Sequence, residues 1–220
     1  MVCISKKTSF FSAVFLISSS VLAMQILQSR VFSVTTWYHL SFMVISVAMF
    51  GLTLGALKIY KGDEEQQRKN YARIASKATT FCGISLFLAI WAQMYIPMVS
   101  ENVLKTMFYF PIVAIFTTIP YYFAGVAISV SLTRAPYSLP KIYGIDLLGA
   151  ALGCLVVMGI MELIDTPSGL VLVAALIIIA GIFYLNASDG LPPKNCSSCK
   201  VSIKLYNWVN KGENTSHLIG

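Results

Sequence analysis

Long apolar runs divided by short polar borders set the pattern of this chain. The runs Phe10–Leu27, Trp37–Tyr60, Ala78–Val99, Met107–Val130, Ile142–Ile164 and Gly169–Leu185 each approach the roughly 20 residues that a helix needs to cross a bilayer. The first reaches that length when Thr8 and Gln28 are counted. The pattern predicts an all-α polytopic membrane protein with six transmembrane helices over residues 1–186, followed by a different tail over 187–220. Trp37 and Tyr38 suit the headgroup level at the start of the second run. Pro97 lies near the end of the third, and Pro111 and Pro120 fall inside the fourth, where each removes a backbone donor and favours a kink. The stretch Lys61–Lys77, KGDEEQQRKNYARIASK, reads as a solvated loop with a short amphipathic turn. Pro136 and Pro140 mark a turn between the fourth and fifth runs, and Asp165–Ser168 joins the last two. In the tail, DGLPPK is a linker signal, and VSIKLY alternates like a strand with one buried face, as at the start of a truncated soluble domain.

Composition agrees with lipid as the surrounding medium. The chain is 57% hydrophobic and 11% charged, against about 25% charged in soluble domains. Its net charge of +7 is spread over the borders between runs and forms no stripe that would fit nucleic acid. Counting basic residues gives an orientation. Lys6, Lys7, Lys58, Lys61, Arg68, Lys69, Arg73, Lys77, Arg134, Lys141, Lys194, Lys200, Lys204 and Lys211 fall on one side, and only Arg30 and Lys105 on the other. The positive-inside rule then places both termini in the cytoplasm. Cysteines at 3, 82, 154, 196 and 199, two of them inside apolar runs, do not form an oxidised secreted framework. Val21 and Ala23 also satisfy the small-residue pattern ahead of a signal-peptide cleavage site, so cleavage near residue 23 and retention are both open at this point.

Polar residues inside apolar runs are the candidate functional positions: Gln25, Arg30, Lys58, Asp146 and Glu162. Gly51 with Gly55, and Gly149 with Gly153, make two small-xxx-small faces that allow close helix approach in lipid. Matching depths predict that these faces meet across the second and fifth helices, on the axis of a 3+3 inverted repeat. Arg30 and Glu162 would pair near the outer surface, and Lys58 and Asp146 near the inner one. As structure, such pairs fix helix register; as function, the acids attract a small cation.

The stretch KIYGIDLLGAALGCL, from Lys141 to Leu155, also carries a resemblance. With QILQSR (Gln25–Arg30) and FGLTLGA (Phe50–Ala56) it is similar to the N-terminal membrane domain of bacterial spermidine synthase-like proteins, and the similarity spans roughly residues 10–186. That family carries an acid where this chain has Gln25, so no charge pairing is transferred to that position. The resemblance favours retention of the first helix, since it continues through Arg30. It implies a multi-pass protein of the bacterial inner membrane whose partner, attached or separate, is a soluble aminopropyltransferase-like or methyltransferase-like enzyme. Cofactor-binding and catalytic positions of such enzymes have no counterpart in these 220 residues: no glycine-rich nucleotide loop, nucleophile elbow or H-E-x-x-H is present. Catalytic, cofactor and metal residues are therefore not assigned, and whether the protein belongs to an enzyme stays open. Cys196 and Cys199 form a lone C-x-x-C, a half-site at most. Asn186, Asn195 and Asn214 open sequons that a cytoplasmic tail would leave unused, and His39 and His217 have no partner cluster. The functional expectation is an anchor that serves an enzyme; the alternative is a small transporter or half-transporter for a cation such as a polyamine.

Overall fold

A computed structural model gives the structure of the chain at residues 2–35, 38–95 and 103–188. The described residues are 94% helical without a strand, and six of the helices are long and apolar enough to cross a membrane. This is the form lipid imposes, because a helix satisfies its backbone donors and acceptors within itself. In chain order the helices are α1 (Val2–Thr35), α2 (Tyr38–Lys61), α3 (Glu64–Lys69), α4 (Tyr71–Tyr95), α5 (Val103–Thr133), α6 (Leu139–Leu163) and α7 (Thr166–Ser188). The short α3 falls where the sequence predicts an amphipathic turn between the second and third spans, but its six residues, EEQQRK, are all polar and none is buried, so it is a solvated helical turn without an apolar face.

Several helices run past their apolar cores. The 34 residues of α1 span about 51 Å, well beyond the roughly 30 Å of hydrocarbon. Its extra turns are held partly by packing, since Leu27, Gln28 and Phe32 are all buried. Likewise α4 begins at Tyr71 rather than Ala78, because Ala72, Ala75 and Ser76 already pack into the bundle. Pro111 and Pro120 are accommodated inside α5, and the Pro120 carbonyl accepts a hydrogen bond from the Cys82 thiol at 3.2 Å. Trp37, Pro97 and everything expected of residues 189–220, including the VSIKLY strand, Cys196, Cys199, Asn195, Asn214 and His217, lie outside the described residues.

Four helices form the centre: α4 packs along α5 and α7, while α1 packs along α7 and more lightly against α5. The other two spans flank this core, α2 on α5 with a lesser contact to α1, and α6 on α1. In its apolar window α6 is only 17% buried, compared with 56% for α1, so most of its surface is left for lipid. Phe10 of α1 ties four segments together at the end where the basic residues collect. Its ring lies 5.8 Å from Tyr71, 5.0 Å from Tyr137 and 5.8 Å from Tyr184.

The expected seam between the second and fifth spans is corrected by this arrangement. Gly51 and Gly55 face α5: a Cβ at Gly51 would lie 2.7 Å from the Tyr121 Cβ, and one at Gly55 would lie 2.6 Å from the Val126 nitrogen. Gly149 and Gly153 face α1, where the same construction meets the Phe15 carbonyl oxygen at 2.6 Å and the Ser19 Cα at 2.8 Å. Each flanking helix therefore runs parallel to its partner, with residue numbers rising together along both seams. A glycine face records that a backbone comes close, and either neighbour satisfies it.

Candidate functional site: an intramembrane acid facing hydroxyls

Asp146 sits in the second turn of α6, about 8 Å along the axis from the basic border at Lys141. The α6–α1 glycine seam brings its carboxylate against α1, where the Ser18 hydroxyl donates to Asp146 Oδ1. Ser18 also contacts the Val14 carbonyl at 2.9 Å, so its own helix orients it. Elsewhere in the bundle the Tyr184 hydroxyl of α7 shares a 2.8 Å hydrogen bond with Ser131 of α5. Ser131 and Tyr184 are buried and Ser18 nearly so, while Asp146 is half-buried. Two polar contacts thus lie inside the apolar spans, Ser18–Asp146 between α1 and α6 and Ser131–Tyr184 between α5 and α7. A cavity of about 610 Å³ lies near Ile145, between Phe15 and Leu16 of α1 and the basic border at Lys7.

Neither expected cross-helix ion pair forms. Among the described residues the ion pairs are Lys69–Glu65 at 4.0 Å and Arg134–Glu64 at 2.6 Å. Lys58 instead places its ammonium 5.7 Å from the centre of the Tyr122 ring, because its helix lies on α5 and not beside α6. Arg30 and Glu162 are exposed, on separate helix ends. Gln25 is half-buried on α1 without a hydrogen bond among the described residues. Of the five polar positions singled out in the sequence, Asp146 is the one that the fold brings together with a buried polar group of another helix.

A second polar contact crosses the bundle nearer the opposite end. Tyr121 of α5 donates to the Gln28 Oε1 at 2.9 Å, both side chains being fully buried, and Gln28 Nε2 is left without a partner. At the basic end Arg134, past the end of α5, reaches three groups: Glu64 Oε1 at 2.6 Å, Gln67 Oε1 at 3.1 Å and the Ile59 carbonyl at 3.5 Å. This fork fastens α2 and α3 to the end of α5 and holds the Glu64 carboxyl below its ordinary value, through the hydrogen bond first and the guanidinium charge second.

The sequence offered little warning of these partners. Ser18 sits in a run of three serines, Tyr184 closes an apolar run, and Arg134 falls in a predicted turn; their roles depend on which helices become neighbours. Among the described residues no group of three or more His, Cys, Asp or Glu side chains could hold a metal ion. No protein-family model, curated protein or solved structure matches the chain.

Proposed function

We propose that this chain is a membrane domain of the spermidine synthase-like kind, which holds an aminopropyltransferase-like or methyltransferase-like enzyme at the bacterial inner membrane and accommodates a small organic cation, such as a polyamine, at Asp146. The observation that carries the cation site is the environment of that carboxylate: it accepts from the Ser18 hydroxyl of the neighbouring helix, and no Lys or Arg pairs with it among the described residues. An acid held in lipid is costly unless it is protonated, hydrated or matched by a cation. A protonated amine supplies the match, with Ser18 fixing the carboxylate in place. The orientation follows from the basic end, which the positive-inside rule assigns to the cytoplasm together with both termini.

A 3+3 inverted repeat forms part of the same proposal. Exchanging α1 with α5, α2 with α6 and α4 with α7 turns the α2–α5 seam into the α6–α1 seam, and the α4–α5 contact into the α7–α1 contact. Repeats of this sort place substrate sites near their interface. The test is binding of labelled spermidine to the full chain in lipid nanodiscs. Saturable binding that Asp146→Asn abolishes and Glu162→Gln leaves intact is the expected result, whereas equal binding by Asp146→Asn overturns the cation site. Net polyamine flux in sealed liposomes without any enzyme partner would replace the anchoring role with a transporter.

A further inference from the structure

A second feature of the basic end is independent of Asp146. Helices α2 and α4 both pack along α5 but barely touch each other, so the space between them is a groove whose floor is α5. Where the groove reaches the basic border it widens into a cavity of about 690 Å³. Lys58 and Lys61 of α2 and Lys77 of α4 surround it, over an apolar floor that includes Phe81, Tyr122 and Phe123. Phe81 and Phe123 stack across α4 and α5 at 5.6 Å, which joins the two sides of that floor. The lining contains no acid; in the turn that follows it, Glu64 is held by Arg134 and Glu65 by Lys69, while Asp63 next to Gly62 is the one acid there without an ion pair among the described residues.

We infer that this groove is a binding site for one anionic phospholipid, with the phosphate held among Lys58, Lys61 and Lys77 and an acyl chain laid over Phe81, Tyr122 and Phe123. Two observations select that occupant. Three ammonium groups at the border match a phosphate, as in basic pockets between membrane helices, and the apolar floor below them matches a hydrocarbon chain. A soluble phosphate would satisfy the lysines and leave the aromatic floor unused. The tail of this chain is a poor occupant, since residues 189–220 carry Lys194, Lys200, Lys204 and Lys211 against Asp189 and Glu213. The groove would couple the α2–α4 gap to the charge of the leaflet, closing a cleft that protein packing leaves open.

The full chain is placed in nanodiscs of equal parts phosphatidylglycerol and phosphatidylcholine, and lipids retained after gentle release are read by native mass spectrometry. Each lysine beside an anionic headgroup contributes about fivefold, so three together set a ceiling of about a hundredfold, and retained phosphatidylglycerol should exceed phosphatidylcholine by at least about tenfold. In the combined variant Lys58→Gln, Lys61→Gln, Lys77→Gln, whose three side chains are exposed and do not pack the core, the preference should collapse to near parity. Lys141→Gln, away from the groove, should keep it. No preference in the wild type, or a preference unchanged in the triple variant, overturns the site. Displacement of the retained lipid by inorganic phosphate alone would assign the lysines to a soluble anion and likewise overturn it.

Discussion

The two glycine seams of this molecule have the same construction and different contents. In both, a flanking helix lies parallel to a central one and places two glycines four residues apart against its backbone: Gly51 and Gly55 of α2 on α5, and Gly149 and Gly153 of α6 on α1. Along the α2–α5 seam the charged residue is Lys58, which turns out to the border and rests on Tyr122. Along the α6–α1 seam it is Asp146, which stays inside and takes a hydroxyl from Ser18. Glycines thus explain close packing in either seam, and they say nothing about function. The difference lies in what stands one turn away, a long cation that turns to the border or a short acid held against the neighbouring helix.

Breaking both seams equally should have the largest effect. Gly55→Leu and Gly153→Leu each drive a side chain into a neighbouring backbone that cannot move aside, and each should cost about 3 kcal/mol in stability, read as a lowered midpoint of thermal unfolding in detergent. Gly159→Leu is the control: a Cβ there meets nothing within 4 Å, so its midpoint should stay at the wild-type value. Equal loss in the control would mean that glycine content, and not the two seams, sets stability.

Ser18→Ala should have a smaller effect, confined to the α6–α1 seam. It removes one hydrogen bond from Asp146, worth about 1 kcal/mol in a membrane interior, and should weaken spermidine binding without abolishing it. Lys58→Gln, the corresponding change at the other seam, should leave spermidine binding unaffected. If Lys58→Gln weakens binding as much as Ser18→Ala, the two seams are not functionally distinct.

The smallest effect is local and lies outside both seams. Arg134 keeps the Glu64 carboxyl below its ordinary value of 4.5. A depressed acid contributes stability that is present above its unfolded value and is lost as the pH falls through its folded value. Protection against hydrogen exchange across α3, taken relative to the intrinsic amide rate at each pH, should therefore fall on acidification through that range in the wild type. In Arg134→Gln that protection should already be low and nearly independent of pH there. Because Glu64 is exposed, midpoints of global unfolding should hardly move.

Six spans were legible in the sequence because bilayer thickness sets a length that an apolar run either meets or misses. Which runs become neighbours was not legible. Gly51 and Gly149 have similar depth, and that depth match pointed to one shared seam, but depth does not distinguish a facing helix from one across the bundle. The pairing of Lys58 with Asp146 failed for the same reason, since each was assigned a partner through a helix contact that does not form. Asp146 stood out as an acid in an apolar run, whereas Ser18 became visible only once α1 and α6 were assembled. Arg134 was equally hidden, because an arginine in a turn between spans is ordinary until Glu64 and Gln67 are seen within its reach.

If the Asp146 carboxylate itself meets a small organic cation, an infrared difference spectrum reads that group directly. The full chain in nanodiscs, with aspartate carboxyl groups isotopically labelled, is measured before and after addition of spermidine and compared with Asp146→Asn. A shift in one aspartate carboxyl or carboxylate band, saturating with spermidine and missing from Asp146→Asn, is the predicted result. Aspartate bands that remain unchanged while spermidine is bound would place the cation elsewhere and contradict the account.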